Sequence, residues 1–495
     1  METLYFKFKS ENNTYLYDGV TSEVIPSNEI FEVLLENYYN ADYETIYKKY
    51  LSEKYDHDEF MKYYLQLKKY IENGMFVLKD SIVNKHDIRH DIKHVSTSYL
   101  ILILTEECNM RCKYCVYSDK YYNASNYSNQ KMTFDTAKKA IDEYFDLHKK
   151  RQECGLKRNP EIGFYGGEPL LNFKLINQVV QYVKSKNIDC EFYITTNGVL
   201  LTDKIIDFMV SNDFKVTFSL DGDKKNHDRN RIMENGKQTF DLVMKNITKF
   251  VKKREEKNKN NLAFSFSCCF DYLTDLKQMI NFFIENYDFF DPFFIIYSQI
   301  DPYDTTYYES INCNEEMISM FQKQLHEIRN DFFKESRNDK KFHEVVASLF
   351  LGVMTAFNRS KWQKTPYFGS CIPLTKIAIY PDGTINMCEK MSKRFPLGNI
   401  NDGGIDIKRV DELDKMFLDN YIKGKCGKCS YRSLCQACYV NLNEDGSINK
   451  QYCKDQQLFV KSTLSYLYTI LEENPNVKEK FELKPEYLGL FEHNQ

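Results

Sequence analysis

The sequence has little net charge and lacks any long apolar run. Its 495 residues carry 67 Lys and Arg against 71 Asp and Glu, so the formal net charge of −4 gives no overall attraction to nucleic acid or anionic lipid. The longest mostly apolar stretch, Val345 to Phe357, is too short to span a bilayer. The first residues carry charges where a secretory signal needs an apolar segment. We therefore predict a soluble, cytoplasmic protein that binds neither nucleic acid nor membrane.

Cysteine, by contrast, is abundant. The chain has 15 cysteines, and 42% hydrophobic and 28% charged residues are typical of a folded soluble protein. A reducing compartment disfavours a disulfide framework, so this many cysteines indicate metal binding or thiol chemistry. The nine histidines show no metal-binding spacing. The cysteine clusters are therefore the candidate functional sites.

The first 97 residues contain no cysteine and have a different pattern from the rest. Strand-like segments and then helical patterns follow one another at 4–8, 14–18, 22–26, 28–38, 41–51 and 56–72. Strands followed by helices predict a small α+β unit such as a winged helix, which we assign to residues 1–85.

From residue 98 to residue 300, short apolar runs alternate with amphipathic helical segments. The apolar runs are 99–104, 162–165, 191–196, 215–220, 262–270 and 293–298. This alternation is typical of an α/β fold with a parallel sheet and right-handed crossovers. Six strands are too few for the closed eight-stranded barrel, so we predict a partial (β/α)6 TIM barrel. A helical bridge (301–370) and a loop-rich, cysteine-dense domain (371–495) are predicted to follow.

Three cysteines come directly after the first apolar run of the barrel. Cys108, Cys112 and Cys115 have the spacing CxxxCxxC. Three thiolates on one loop can bind three corners of a [4Fe–4S] cluster, which leaves the fourth iron open to another ligand. A structural zinc site would need a fourth ligand, and the loop holds none. A zinc knuckle with a distant ligand, or three buried cysteines, is the alternative.

Polar motifs follow the next three predicted strands. They are Gly166-Gly167-Glu168-Pro169, Thr195-Thr196-Asn197-Gly198 and Ser219-Leu220-Asp221-Gly222, with Arg231 shortly after the last. Because the carboxyl ends of barrel strands form the site face, we expect these motifs to lie on one face with the cysteine loop. Any one of them alone could be a turn, but together they indicate a site.

The tricysteine spacing, with the aromatic Tyr114 before the third cysteine, and the GGEP motif resemble the radical S-adenosylmethionine (SAM) superfamily over residues 98–300. The resemblance implies that the open iron chelates the amino and carboxylate groups of SAM. It also implies reductive cleavage of SAM to methionine and a 5′-deoxyadenosyl radical, which abstracts a hydrogen atom from the substrate.

The resemblance also implies which residues bind SAM. They are Gly166, Gly167, Glu168, Pro169, Asn197, Ser219 and Arg231. The GGEP motif would bind the methionine amine, and Arg231 would pair with the carboxylate, which a guanidinium does well. Ser219 and Asn197 would bond the ribose or the carboxylate. Since the cofactor carries the hard chemistry, no side chain is assigned as a catalytic acid, base or nucleophile.

Seven further cysteines lie toward the C-terminus. They are Cys371, Cys388, Cys426, Cys429, Cys435, Cys438 and Cys453. Seven is odd for disulfides and more than one tetrahedral site needs, although one zinc site with bystanders is an alternative. The pattern resembles the SPASM domain, which carries two auxiliary [4Fe–4S] clusters, and departs from it by one residue in the spacing before Cys438. By resemblance, Cys371, Cys388 and Cys438 bind the first auxiliary cluster, and the other four cysteines bind the second.

The N-terminal unit resembles the peptide-recognition element of enzymes that mature ribosomally made peptides. This implies a precursor peptide whose leader binds as an added strand; an ordinary accessory or dimerising domain is the alternative. We therefore expect a radical SAM maturase that joins a peptide cysteine sulfur to carbon as a thioether. Carbon–carbon crosslinking and epimerisation are variants of the same chemistry. An external electron donor such as flavodoxin or ferredoxin would supply the electron.

Two other functions stay open. An anaerobic sulfatase maturase would oxidise a Cys or Ser to formylglycine with the same cofactors, but in that family the tricysteine loop lies near the N-terminus and the auxiliary ligand set is complete. A non-catalytic iron–sulfur or zinc protein that binds peptides or senses redox state would need neither GGEP nor Arg231. Cys190, Cys268 and Cys269 lie on or beside predicted strands, where the role of a buried hydrophobic residue is expected, and an eighth cluster ligand among them is the alternative.

Overall fold

The computed structural model describes residues 3–77, 97–122, 126–153, 158–259, 262–290, 294–303, 305–333, 339–351, 374–391, 393–419, 426–435 and 437–475. They divide into two compact units. The first includes residues 3–77 and 413–475, and the second includes 97–350 and 374–412. The segment predicted as one C-terminal domain therefore contributes to both units, and the functional domain boundaries stay a prediction.

The first unit begins with an antiparallel sheet followed by helices. Its strands, paired in chain order, are β1 (Tyr5–Lys9), β2 (Thr14–Asp18) and β3 (Val24–Pro26), and its helices are α1 (Glu29–Asn37), α2 (Tyr43–Ile46) and α3 (His57–Glu72). A π-helical turn, Tyr47–Leu51, continues α2. Asn28, Asp42 and Asp56 cap the three helices by accepting a backbone N–H. The predicted strands and helices are confirmed, and the winged-helix assignment stays a prediction.

The second unit is built on a parallel sheet. Its first six strands are β4 (Tyr99–Ile103), β5 (Glu161–Tyr165), β6 (Glu191–Thr196), β7 (Lys215–Ser219), β8 (Phe264–Phe270) and β9 (Phe294–Gln299). They lie side by side in chain order, and each adjacent pair is parallel. The six strands predicted from the apolar runs are confirmed, as is an α/β fold with a mostly parallel central sheet.

Helices connect these strands and follow the last of them. They are α4 (Phe134–Glu153), α5 (Phe173–Ser185), α6 (Asp203–Ser211), α7 (Lys224–Asn230), α8 (Phe240–Glu256), α9 (Leu276–Glu285), α10 (Tyr287–Phe290), α11 (Tyr307–Ser310), α12 (Glu315–Phe333) and α13 (Lys340–Val346). Residues alternate along β6, β7 and β8, with every second side chain fully buried and the intervening ones only partly buried. This period of two places one set of side chains against the helices and the other on the opposite face of the sheet.

The sheet is extended by strands from the C-terminal region. β10 (Lys376–Ile379) pairs in parallel with β4, and β11 (Ile385–Asn386) pairs antiparallel with β10. The remaining elements are β12 (Gly398–Asn399), β13 (Gly404–Ile405), α14 (Ile407–Leu418) and α15 (Lys450–Glu473). Among the described helices, none is both long enough and apolar enough to cross a membrane.

Candidate functional site

The tricysteine loop begins where β4 ends, at the carboxyl edge of the parallel sheet. Cys112 and Cys115 bracket a tight turn closed by a bond from the Cys115 N–H to the Cys112 carbonyl (3.0 Å). The Met110 N–H donates to the Cys108 sulfur and the Tyr117 N–H to the Cys115 sulfur, both at 3.4 Å. Backbone N–H groups aimed at sulfur stabilise thiolates that bind an iron–sulfur cluster and help to set its potential.

The thiols of this loop need a metal to ionise. Burial raises the pKa of Cys108 to about 12 and that of Cys112 to about 11. At neutral pH both would keep their protons unless a cation compensated the charge, and metal binding does this directly. Within the described residues, no three His, Cys, Asp or Glu side chains are placed to hold a single metal ion. An iron–sulfur cluster does not need three side chains that converge on one ion, because each thiolate binds a different iron atom.

The Gly166-Gly167 pair lies directly against the cysteine loop. The Gly167 N–H donates to the Thr105 carbonyl (2.8 Å), and the Glu168 N–H donates to the Glu107 carbonyl (3.0 Å). A Cβ on Gly166 would lie 2.4 Å from the Thr105 oxygen, and one on Gly167 would lie 2.1 Å from the Glu107 oxygen. Gly166 also has a φ of +140°, which side chains disfavour. The two glycines therefore allow their backbone to contact the backbone of Thr105 and Glu107. This contact fixes the position of the cysteine loop at the end of the sheet.

The Glu168 side chain fixes this loop to the end of β6. Its carboxylate, 1% exposed, accepts hydrogen bonds from the Asn197 N–H (2.8 Å), the Thr196 hydroxyl (2.8 Å) and the Leu170 N–H (3.1 Å). Burial raises its pKa to about 7. Pro169 then starts a short 3-10 turn, Pro169–Asn172, which Glu168 caps. Sequence reasoning assigned Glu168 to the SAM amine only and missed this second, structural role.

Asn197 and Ser219 lie at the ends of neighbouring strands. The Asn197 amide donates to the Asn109 side-chain oxygen at 2.9 Å and lies 3.9 Å from the Cys108 sulfur. Its own oxygen accepts from the Val199 N–H. Ser219 is the last residue of β7 and is partly exposed. The structure thus brings Asn197 to the cysteine loop and places Ser219 on the same sheet edge, while their SAM contacts stay predictions.

Arg231 is buried and contacts the cysteine loop through Tyr114. Its Nη1 donates to the Tyr114 hydroxyl (2.7 Å), and that hydroxyl donates to Asp221 (2.5 Å). Arg231 and Asp221 themselves lie 3.9 Å apart. Asp221 also accepts from the Cys269 N–H at 3.0 Å. The loop residue Tyr114 is therefore anchored by an ion pair that follows strand β7.

A second buried ion pair supports the segment that carries Arg231. Arg229 forms two bonds of 2.7 Å with the Asp271 carboxylate, which is fully buried just after β8. The Tyr307 hydroxyl donates to Asp271 at 2.5 Å and also lies 3.0 Å from the Asn230 side-chain oxygen. A bidentate pair of this kind fixes geometry as well as charge. The sequence offered no signal for this partnership, because its members are distant along the chain.

Buried donors around the cysteine loop lack partners. Among the described residues, the side-chain atoms in question are Asn109 Nδ2, Tyr117 OH, Ser118 Oγ and Arg231 Nε. Buried polar groups are almost always hydrogen-bonded, so several such groups beside one loop indicate a polar ligand. SAM offers a carboxylate, ribose hydroxyls and ring nitrogens as acceptors. The residues present therefore fit both a cluster on the three thiols and a polar cofactor beside it.

Cys269 also belongs to this site, although the sequence suggested a buried hydrophobic role. Cys268 is fully buried, with its sulfur 3.4 Å from that of Met279. Cys269 is partly exposed and packs with Cys112 against the cluster of Tyr114, Ile300 and Tyr307. The alternation of strand β8 separates the two cysteines onto opposite faces, and that periodicity was the signal that could have found Cys269.

The C-terminal cysteines fall in both units. Cys371 lies outside the described residues, Cys388 is buried after β11 in the second unit, and Cys438 belongs to the first unit, so this ligand set stays a prediction. The first unit also contains Cys426, Cys429, Cys435 and Cys453. Burial raises the pKa of Cys435 to about 11, and the nearby Cys429 and Cys453 add to the effect. Three of the four cysteines proposed for the second auxiliary cluster, Cys429, Cys435 and Cys453, are therefore close enough to interact electrostatically.

Comparison with known proteins identifies the class of the parallel-sheet region. Residues 102–263 match the family model of the Radical SAM superfamily. The chain therefore contains a radical SAM domain, and this family implies a [4Fe–4S] cluster and SAM. The cysteine loop, the glycine pair and Arg231 all lie within the matched residues.

Individual relatives extend the likeness beyond this domain. The uncharacterized protein MJ0907 of Methanocaldococcus jannaschii is 38% identical over 148 residues, which is 29% of this chain and 46% of that protein. The chain thus spans less than half of that relative. A cysteine-type anaerobic sulfatase-maturating enzyme of Clostridium novyi is 25% identical over 75% of this chain and 96% of the enzyme. The solved structure of histidine-tagged anSMEcpe with bound AdoMet covers 80% of this chain and 98% of its own, at 20% identity and a TM-score of 0.55, and shares the fold.

Proposed function

We propose that this protein is a radical SAM enzyme that modifies a ribosomally made peptide, forming a thioether between a cysteine sulfur and a carbon. The observation that carries the radical chemistry is the cysteine loop seated on Gly166-Gly167, with unpartnered buried donors around it. When bound, the cluster and SAM would supply one-electron radical chemistry at this site. Three auxiliary ligands, Cys371, Cys388 and Cys438, and four more in the first unit support two further clusters.

The chain's own residues bind and orient the cofactor in this proposal. Cys108, Cys112 and Cys115 hold three irons. The contact at Gly167 fixes the position of the cysteine loop, so that backbone groups of Gly166-Gly167-Glu168-Pro169 reach the amine of the methionine part of SAM. Arg231 is held by Tyr114 with Nε unpartnered, and a guanidinium in that setting suits the carboxylate. Ser219 and Asn197 stand at adjacent strand ends for the ribose.

The N-terminal sheet supports a peptide substrate. One edge of this sheet is covered, because Thr3 bridges to Val77 and the Leu4 N–H donates to the Phe76 carbonyl. The other edge is β3, which pairs only with β2 among the described strands. An extended leader peptide could add there as a fourth strand through its main chain. An external donor such as flavodoxin or ferredoxin completes the proposed reaction by supplying the electron.

One assay tests this function in two steps. Anaerobic protein with reconstituted clusters is incubated with SAM and dithionite, and 5′-deoxyadenosine is measured. A candidate precursor peptide is then added, and its mass is followed. Joining a carbon to a peptide thiol removes two hydrogens in total, so the product should be lighter by that amount and should resist alkylation at one cysteine. Absence of 5′-deoxyadenosine would refute the radical chemistry.

A second candidate is maturation of a sulfatase to formylglycine. The Clostridium novyi relative favours it, because the likeness covers 96% of that enzyme. The two functions differ in what happens to sulfur. Formylglycine made from cysteine loses the sulfur atom, whereas a thioether keeps it. A peptide containing a sulfatase cysteine motif, assayed beside the precursor peptide, therefore separates the two by product mass.

A further inference from the structure

The sheet of β1 and β2 packs directly on the loop that carries three C-terminal cysteines. The Phe6 ring stacks on the Tyr431 ring at 4.1 Å between centroids and 9° between planes. The buried Tyr17 hydroxyl bonds the Ser433 hydroxyl. Gly19 lies so close to the backbone of Ser430 that a Cβ at residue 19 would be 2.9 Å from Ser430 backbone atoms. The contacts lie between Cys429 and Cys435, in the middle of the proposed ligand loop.

Helix α15 holds the same sheet from a second direction. The Tyr468 ring packs against Tyr15 and Phe8, at 4.7 Å and 5.4 Å between centroids. The Glu472 carboxylate accepts from the hydroxyls of Ser10 and Tyr15, both at 2.6 Å, and from the Asn13 amide at 2.8 Å. Burial raises the pKa of Glu472, but these hydrogen bonds lower it by more, so the pKa lies below its usual value. The β1–β2 turn is therefore fastened to the last turns of α15.

The proposed ligands of the second auxiliary cluster are distributed over these two supports. Cys426, Cys429 and Cys435 lie on the loop, and Cys453 lies in the first turn of α15, with its N–H bonded to the Asn449 carbonyl. A cluster on these cysteines would join the loop to the helix through metal–sulfur bonds. The loop has no long helix or strand of its own, so side-chain contacts such as those of Phe6 and Tyr17 help to fix its position, and metal–sulfur bonds would add to them.

We propose that the second auxiliary cluster is a structural link that holds the N-terminal sheet in place, so that cluster occupancy and peptide docking are coupled. This inference rests on the proposed function for the presence of the cluster. Removing the cluster would break the metal–sulfur bonds between the loop and α15 and leave weaker contacts, such as Lys461 over the Tyr431 ring, to hold the loop. The loop would then support the sheet less firmly. By linkage the effect is reciprocal, and anything that stabilises the sheet also favours the loaded cluster.

Hydrogen–deuterium exchange on the full chain tests the coupling without requiring activity or a known peptide. The test variant is the double substitution Cys429→Ser and Cys435→Ser, with iron content measured on the same sample. Amides of residues 5–18 should exchange about tenfold faster than in the intact protein, within the usual range of coupling between sites. The matched control, Cys108→Ala with Cys112→Ala and Cys115→Ala, removes the cluster of the other unit and should leave those amides unchanged.

The reciprocal experiment starts from the sheet. Phe6→Leu removes the ring that stacks on Tyr431 but keeps an apolar side chain, so the unit should still fold. Under a chelator challenge this variant should lose the second cluster several-fold faster, whereas Tyr431→Phe, which keeps the stack, should behave as the intact protein does.

The outcomes separate this inference from the proposed function. If the intact protein holds no iron at the second site, the auxiliary cluster of the proposed function is refuted, and the inference fails with it. If iron is present, but its removal leaves exchange at residues 5–18 unchanged and Phe6→Leu loses iron at the normal rate, only the coupling is refuted.

Discussion

The backbone of Gly167 packs against the backbone of Glu107 and Cys108, which leaves no room for a side chain at residue 167. Gly167→Ala would place a carbon 2.1 Å from the Glu107 carbonyl oxygen, a contact that only a backbone shift can relieve. Overpacking of this kind costs about 1–3 kcal/mol and would displace the cysteine loop. We expect most SAM cleavage to be lost, measured as 5′-deoxyadenosine under dithionite.

Gly74→Ala serves as the control for a general glycine effect. Gly74 has a φ of +86°, but a Cβ there would have no neighbour within 4 Å. The substitution strains one turn by about 1–2 kcal/mol and should leave SAM cleavage intact. If Gly167→Ala were as active as Gly74→Ala, the glycine pair would not set the position of the cysteine loop.

The Tyr114 hydroxyl links Arg231 to Asp221. Removing this hydroxyl therefore tests whether Arg231 is positioned to bind the carboxylate of SAM. Tyr114→Phe keeps the ring but takes away both hydrogen bonds, of 2.7 and 2.5 Å. A hydrogen bond to a charged group is worth about 1.5–3 kcal/mol, so SAM affinity should fall about tenfold or more. The iron content should not change, because no thiol is touched. Isothermal titration of SAM into the reconstituted protein measures the effect, and unaltered affinity would exclude a role for the Tyr114 hydroxyl in positioning Arg231 for SAM.

Single residues also show where sequence reasoning stops. The tricysteine spacing and the glycine pair could be found because each motif is local in the chain. The partners of Asp271 and the bonds of Glu168 could not, because they join strand ends that only the folded sheet brings together. Cys269 was within reach, since strand periodicity alone places it on the face opposite Cys268.

At the scale of elements, strand β3 offers a main-chain test of peptide docking. The Asp18 N–H bonds the Glu23 carbonyl and the Ser27 N–H bonds the Thr14 carbonyl, so paired residues alternate and the Val24 N–H faces the outer edge. Val24→Pro removes that donor, and an edge strand tolerates proline at such a position. Binding of a labelled precursor peptide should weaken about tenfold, as measured by fluorescence anisotropy. Val24→Thr, which keeps the N–H, should bind normally, and equal affinity for the two variants would exclude this edge.

The elements themselves were predictable to different degrees. Six apolar runs, each bounded by turn residues and separated by amphipathic helices, were sufficient to find β4 to β9 in order. β10 was missed because KIAI is only four residues long and lies in a loop-rich, cysteine-dense segment. Its pairing with β4 joins residues far apart in the chain, which local patterns do not encode.

At the scale of the whole molecule, each of the two compact units combines segments that are far apart in the sequence. The N-terminal sheet and the last cysteines share one compact unit, whereas the residues around Cys388 share the other with the parallel sheet. Deleting residues 1–85 to test leader binding would therefore also expose Tyr431, Tyr468 and the carboxylate of Glu472. Point changes at the β3 edge avoid that loss and test docking alone.

Iron content provides the test for the whole molecule. Three [4Fe–4S] clusters correspond to about twelve irons per chain, of which the cysteine loop accounts for about four. Replacing Cys108, Cys112 and Cys115 by Ala should therefore lower the iron content by about a third and abolish 5′-deoxyadenosine formation, because the open iron is lost while the C-terminal cysteines are untouched. Iron analysis and Mössbauer spectra of the anaerobic protein measure both quantities. Loss of all iron would mean that the clusters assemble together, and unchanged iron would mean that this loop binds none.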